Sequence, residues 1–257
     1  MSGSAPAPGV RGPASRRASF RSLVTRIERL PPPPAVPVRS PPVAVAGEVE
    51  MRVRGRAGGP SLVARICAPS SAERAVVICH PHPLYGGSMH SPVPLSIARV
   101  LADEAGGRVA WARFDFRGVE GSEGSYDDGR GEVEDALAVM DELRRLAPAL
   151  PMTACGHSFG SWVALQTARR EAGVERVLLV APSVRFRSGA RGLAPVPTTI
   201  FIGDHDEYCD VAEARALADE LGAELRIFEG FDHHFLKSRR AMARAALPVI
   251  APEVGSP

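Results

Sequence analysis

From Glu48 onward, apolar and polar positions fall into a regular pattern. Residues 48–54 alternate like a half-exposed strand, 61–68 form a second such segment, and 75–79 (AVVIC) are a short unbroken apolar run. Such a run suits a parallel strand covered on both faces. Beyond it, helical periodicity and apolar runs take turns. Helices are expected over 92–104, 131–146, 159–171, 211–221 and 235–250, and strands over 109–116, 152–155, 176–180, 198–202 and 224–229. In the helix over 131–146, Val133, Ala136, Leu137, Met140, Leu143 and Leu146 recur three or four residues apart, so one face should lie on a sheet. Glu132, Asp135, Asp141 and Arg145 would then form its charged face. Strand–helix alternation predicts an α/β fold with a doubly wound, mostly parallel central sheet and helices on both faces. Among the segments between strands, only 183–197 lacks a clear helical pattern, and it is too short for a large lid. The expected site is open.

Residues 1–45 do not share the pattern. They hold ten of the 24 prolines, including Pro31 to Pro34, amid Ser, Gly and Arg. Such a stretch cannot bury enough apolar surface to order itself, so it is expected to be a disordered extension preceding a folded domain over 46–252. A dispensable tail or a misassigned start accounts for it more simply than an organelle transit peptide, and the apolar core of a secretory signal is absent.

Composition narrows the class. The 257 residues are 45% hydrophobic and 23% charged, and no apolar run approaches the roughly 18 residues of a membrane span. The net charge of +2 is uneven: residues 1–45 carry seven Arg and one Glu, which leaves the remainder mildly acidic. A mildly acidic domain offers no electrostatic footprint for nucleic acid. Cys67, Cys79, Cys155 and Cys209 are far apart and form no C-x-x-C pair, so they read as reduced, mostly buried thiols of a cytoplasmic protein. Oligomeric state leaves no signature in the chain.

Gly156-His157-Ser158-Phe159-Gly160 is a G-x-S-x-G pentapeptide set between a strand-like run and a helical pattern. By itself the pentapeptide is a weak signal; its context makes it a candidate nucleophile elbow, in which the turn projects the Ser158 hydroxyl and aims the next backbone N–H into the site. A serine hydroxyl needs a base to take its proton, commonly a histidine oriented by a carboxylate. Downstream, the strand over 198–202 ends in Gly203-Asp204-His205-Asp206, and that over 224–229 is followed by Gly230-Phe231-Asp232-His233-His234. The order Ser, Asp, His is one of the known triad layouts, with each member on a loop after a parallel strand. Asp206 is favoured over Asp204 because a residue a few positions past the strand can turn back toward the centre, leaving Asp204 to cap the loop. His233 is favoured over His234. An oxyanion hole needs two backbone donors. One would be Phe159, and the other would come from the loop His80-Pro81-His82-Pro83-Leu84-Tyr85-Gly86-Gly87, where the prolines have no N–H and the near donors are His82 and Leu84. Phe114-Asp115-Phe116-Arg117-Gly118 and the glycine-rich loop after it would shape the site, with an Asp115–Arg117 pairing or a substrate contact equally open.

The segments HPHPLYGGSMHSPV, RFDFRGVEGSEG, GHSFGSWVAL, GDHDEYCD and FDHHF, in that order over roughly residues 48–250, resemble those of small, lidless hydrolases of the α/β-hydrolase superfamily related to dienelactone hydrolases. The resemblance implies a nucleophile at Ser158, an acid at Asp206, a base at His233 and an oxyanion loop at His82–Leu84. True dienelactone hydrolases have Cys at the elbow, so their substrate is not implied, and His234 stands where relatives commonly show an aromatic residue. The expected activity is hydrolysis of a small acyl compound, typically an ester, with no cofactor: no strand is followed by G-x-G-x-x-G, and no Walker sequence occurs. Two other classes compete. A zinc hydrolase could use His80, His82, Asp204, Asp206, His233 and His234, but Leu84 and Tyr85 stand where a full H-x-H-x-D-H motif needs Asp and His. A non-catalytic interaction module of the same fold is the other.

Overall fold

In the computed structural model, residues 43–183, 192 and 194–253 are described. The expected extension lies outside these residues as far as residue 42. Eight strands make one sheet: β1 (Val49–Arg54), β2 (Ser61–Cys67), β3 (Arg74–Cys79), β4 (Val109–Phe114), β5 (Met152–His157), β6 (Val174–Val180), β7 (Thr198–Gly203) and β8 (Glu224–Phe228). Their order is β1-β2-β4-β3-β5-β6-β7-β8. β1 runs antiparallel to β2 and β2 antiparallel to β4, while all other pairs are parallel. The α-helices among the described residues are α1 (Pro92–Glu104), α2 (Arg130–Leu146), α3 (Phe159–Arg170), α4 (Val211–Leu221) and α5 (Arg239–Ile250).

Side chains alternate across a strand, so each buried strand feeds two cores. Ala75, Val77 and Cys79 of β3 face the cluster that takes in α2 and α3, whereas Val76 and Ile78 face the one that takes in α1 and α5. The apolar stripe of α2 behaves as its spacing predicts: Val133, Ala136, Leu137, Met140 and Leu143 are buried. Burying a leucine such as Leu137 contributes about 1.5–3 kcal/mol. The charged face differs from expectation. Glu132 and Asp135 are buried, because each is bound locally: Glu132 accepts the Asp127 and Gly129 N–H groups ahead of the helix, and Asp135 receives Arg117. Arg117 therefore pairs with Asp135 at 2.8 Å, and not with its neighbour Asp115. α5 also starts later than its apolar pattern suggests. Phe235 is fully buried at φ 53, a left-handed conformation that a helix cannot contain, and Ser238 caps the helix by accepting the Ala241 N–H.

A buried ion pair fastens the start of the domain. Arg113 on β4 meets Glu48 at 2.6 Å with both side chains fully buried, and Glu48 also accepts the Trp111 indole N–H and the Val45 N–H. Arg113 donates in addition to the carbonyls of Met89 and Val43, so residues 43–48 are tied to the sheet. Burial pushes the Glu48 carboxyl up, but the Arg113 hydrogen bonds and charge outweigh it and hold its pKa below the ordinary value.

The topology decides where chemistry collects. β3 lies between β4 and β5, so the chain turns one way after β3 and the other way after β5. Loops at the carboxyl ends of strands beside such a switch point line the usual binding crevice of open α/β sheets. The connection from β6 to β7 covers 181–197, of which 184–191 and 193 lie outside the described residues. Among the described residues, no lid-sized insertion separates the other strands and helices.

Candidate active site

Ser158 sits between the end of β5 and the start of α3 at φ 55, ψ −116, backbone that a non-glycine residue adopts only under constraint. The constraint is visible. The Ser158 N–H donates to Val180 O at 2.9 Å, the Ser161 N–H to Ser158 O at 3.0 Å, and the Ser161 hydroxyl to Gly156 O at 2.8 Å. Both motif glycines are required by close approach: a Cβ on Gly156 would overlap the Gly160 carbonyl, and one on Gly160 would overlap Cys79 O. The result leaves Ser158 half-buried at the carboxyl end of the sheet. Phe159 is the first residue of α3.

Two residues from different strand ends meet at the acid–histidine pair. After β7 the chain turns back, with the Asp206 N–H donating to Gly203 O, and this buries the Asp206 carboxylate. Asp206 Oδ2 lies 2.9 Å from Nδ1 of His233, which is also buried, while Oδ1 accepts the Tyr208 and Cys209 N–H groups at 2.8 and 3.0 Å. Those bonds fix the carboxylate plane. Asp204 is exposed and accepts the Gly230 N–H at 2.6 Å, the loop-capping role expected of it. His205 and His234 are exposed. The Tyr208 ring packs edge-on against His233 at 4.7 Å.

Behind the elbow serine stands a residue that sequence reasoning passed over. His157 Nε2 donates to the His233 carbonyl oxygen at 3.1 Å, and the two rings are 5.2 Å apart. This bond joins the serine elbow to the histidine loop. Its only advance signal was its position inside the pentapeptide, where any residue type is compatible with the motif.

The loop after β3 is folded by its own side chains. His80 is fully buried, donates from Nδ1 to Pro81 O at 2.6 Å and accepts the Phe116 N–H at Nε2 at 3.1 Å. Burial pulls its pKa down to about 3, so it is a neutral structural histidine. With both ring nitrogens in use, His80 has no lone pair for a metal, which dismantles the H-x-H half of a zinc site. His82 Nδ1 accepts the Leu84 N–H at 3.2 Å, which places the ring proton on Nε2, 3.4 Å from the Tyr126 hydroxyl. The His82 ring packs against Tyr85, Tyr126 and Phe159. Of the two loop donors considered, the Leu84 amide is thus engaged within its own turn. Asp115, at the end of β4, accepts the Met89 N–H at 2.7 Å through Oδ1, and Oδ2 is buried without a partner among the described residues. Burial, opposed by the Met89 bond, raises its pKa to about 7.

Comparison with known proteins bears on the family and the fold. A family model described as serine aminopeptidase, S33, matches residues 70–196. A protein of Rickettsia prowazekii described only as uncharacterised is 30% identical over 208 residues, covering 76% of this chain and 83% of its own length. Among solved structures, an α-β serine hydrolase homologue from Coxiella burnetii is 28% identical with a TM-score of 0.70, covering 82% of this chain and 100% of that one. A serine hydrolase without lid from Xanthomonas campestris is 24% identical with a TM-score of 0.69, covering 84% of this chain and 100% of that one, and so speaks for the fold.

Proposed function

This chain belongs to the serine hydrolases of the α/β-hydrolase superfamily, and we propose that it cleaves a small ester or related acyl compound through an acyl-enzyme on Ser158. In this mechanism His233 takes the Ser158 proton as the hydroxyl oxygen attacks the acyl carbon, and Asp206 keeps the imidazole in its Nδ1–H tautomer and offsets the positive charge it gains. The tetrahedral oxyanion accepts the N–H groups of Phe159 and His82. His82 is taken as the loop donor and Leu84 as the alternative, whose N–H bonds to His82 Nδ1 in the resting chain. Collapse returns the proton to the departing alcohol. Water, deprotonated by the same histidine, then releases the acid.

The observation that carries the proposal is the 2.9 Å Asp206–His233 pair, buried and joined by His157 to the elbow that bears Ser158. A short acyl group fits an open site. Leu84 and Tyr208, 42% and 45% exposed on the two loops, offer apolar surface for it. A cytoplasmic location agrees with four cysteines that are all buried.

The test is intact-protein mass after incubation with a fluorophosphonate probe, on wild type and Ser158→Ala together. One adduct on wild type that is missing from Ser158→Ala is the expected result. A screen of chromogenic esters of increasing acyl length, with an aminoacyl anilide beside them, then separates ester from peptide specificity. Folded wild type that takes no adduct would overturn the proposal in favour of a non-catalytic interaction module.

A further inference from the structure

Building on the serine-hydrolase reading above, we propose that His157 is a positioning residue: its Nε2–H holds the main chain of His233 so that the His233 imidazole serves Asp206 and Ser158 at once. His157 is the last residue of β5 and the immediate neighbour of Ser158, only 2% exposed. Its ring points beneath the loop that carries His233, and the Nε2–H reaches the His233 carbonyl at 3.1 Å. A buried carbonyl needs a donor, and this one takes it from a strand in the middle of the sheet.

The bonds His205 N–H to Phe231 O and Phe235 N–H to Asp232 O shape the loop on either side of His233, but they do not grip His233 itself. Asp206 fixes Nδ1 of the ring, and the His233 N–H reaches Glu207 only at 3.5 Å. A single bond to Nδ1 fixes the ring's tautomer but not the depth at which its Cα sits. The second bond, at the carbonyl, supplies that depth and refers it to the elbow, because His157 and Ser158 share a peptide bond. Sub-ångström control matters at this point: a misplacement of about 1 Å at a reacting group can cost about 100-fold in rate.

The surroundings keep His157 in one protonation state. Its ring lies 5.2 Å from that of His233 and 6.0 Å from that of His234, and Arg239 adds positive charge nearby. Asp206, Glu207 and Asp232 supply the acidic groups of the same loops, bound respectively to His233 Nδ1, the His233 N–H and the Leu236 N–H. Burial first, then the neighbouring histidines, drive the His157 pKa well below its ordinary value. A second ring proton would sit on Nδ1, which is buried with no partner among the described residues. His157 is thus a fixed neutral donor, and the imidazole contributes shape and one N–H without titrating.

Three proteins test this: wild type, His157→Phe, which keeps a ring but loses the donor, and His157→Gln, whose amide nitrogen can stand where Nε2 does. Each is assayed for fluorophosphonate labelling rate, for kcat and KM on a short chromogenic ester, and for thermal midpoint. The expected result is a kcat and labelling rate lower by about 30-fold or more in His157→Phe with KM within about threefold, and recovery to within about threefold of wild type in His157→Gln. If His157→Phe does not fold, His157→Asn takes its place as the variant whose amide is too short to reach the carbonyl. A folded donor-less variant that works at the wild-type rate, or a Gln variant as impaired as the donor-less one, overturns the proposal while leaving Ser158 chemistry standing. A wild type that takes no probe overturns both.

Discussion

Asp206 and His233 meet across the gap between two strand ends: Oδ2 of the carboxylate lies 2.9 Å from Nδ1 of the imidazole, and Oδ1 is held by the N–H groups of Tyr208 and Cys209. A carboxylate fixed at both oxygens can impose one ring orientation and one tautomer. On the proposed mechanism, Asp206→Asn lowers kcat by about 10²–10⁴-fold without loss of fold, because the amide favours the wrong tautomer. Asp204→Asn, which alters only a loop cap, keeps kcat within a few-fold. Equal effects of the two substitutions on chromogenic ester turnover would show that the acid has been misassigned.

His233→Ala and Ser158→Ala are each expected to lose about 10³-fold or more in turnover, and together to lose little more than either alone, since nucleophile and base act as a unit. Multiplying losses in the double variant would argue that the two groups work independently.

The elbow glycines make a stability prediction. Gly156→Ala places a methyl group in the Gly160 carbonyl, and no flexible side chain is available there to yield. The expected cost is about 3 kcal/mol or more, seen as a lowered urea midpoint or as insoluble expression. A Gly156→Ala protein with wild-type stability would mean that the strand and helix can separate at the elbow.

Arg113 and Glu48 form an ion pair with no exposed side-chain surface. Removing one partner strands the other charge in the core, so Glu48→Gln or Arg113→Met should destabilise by about 3–5 kcal/mol in urea unfolding. Replacing both at once should cost less than the sum of the single changes. Additive losses would indicate that each group works through its other contacts, to Trp111, Val45, Met89 and Val43.

Asp115 predicts a pH effect. Its pKa is about 7 in the folded chain against an ordinary 3.8, so between those values the folded protein keeps a proton that the unfolded chain has released. Stability therefore falls as pH rises through that window, by a few kcal/mol in total, and levels off above it. His80, with a pKa lowered to about 3, contributes the opposite slope, losing stability as pH falls below about 6.5. Comparing wild type with Asp115→Asn isolates the carboxyl's share: the variant should gain on wild type between pH 4 and pH 8. Parallel stability curves would place Asp115 in water rather than in the core.

Much of this fold could be read along the chain. The continuous run at 75–79, the three-and-four spacing of α2 and the strand–helix alternation foretold a parallel sheet with two covers. The elbow and the two loops downstream were legible because their residue types sit just past strand-like runs. Less legible was whatever depends on a partner elsewhere in the chain. The charged face given to Glu132 and Asp135, the Asp115–Arg117 pairing held open beside a substrate contact and the early start of α5 all came from local pattern, and in each case a contact or a backbone constraint that periodicity does not encode decided the outcome.

The sequence by itself determined the order and kind of the elements, the strained turn at Ser158 and the short list of acids and histidines, because hydrophobic period and turn chemistry act between near neighbours. Only the tertiary structure decided among the members of that list. It gave His233 rather than His234 to Asp206, committed both nitrogens of His80 and the amide of Leu84, and brought His157 under a carbonyl far along the chain. Those outcomes depend on strand order and on which side chains lose their water, and both are settled when the sheet closes around its core.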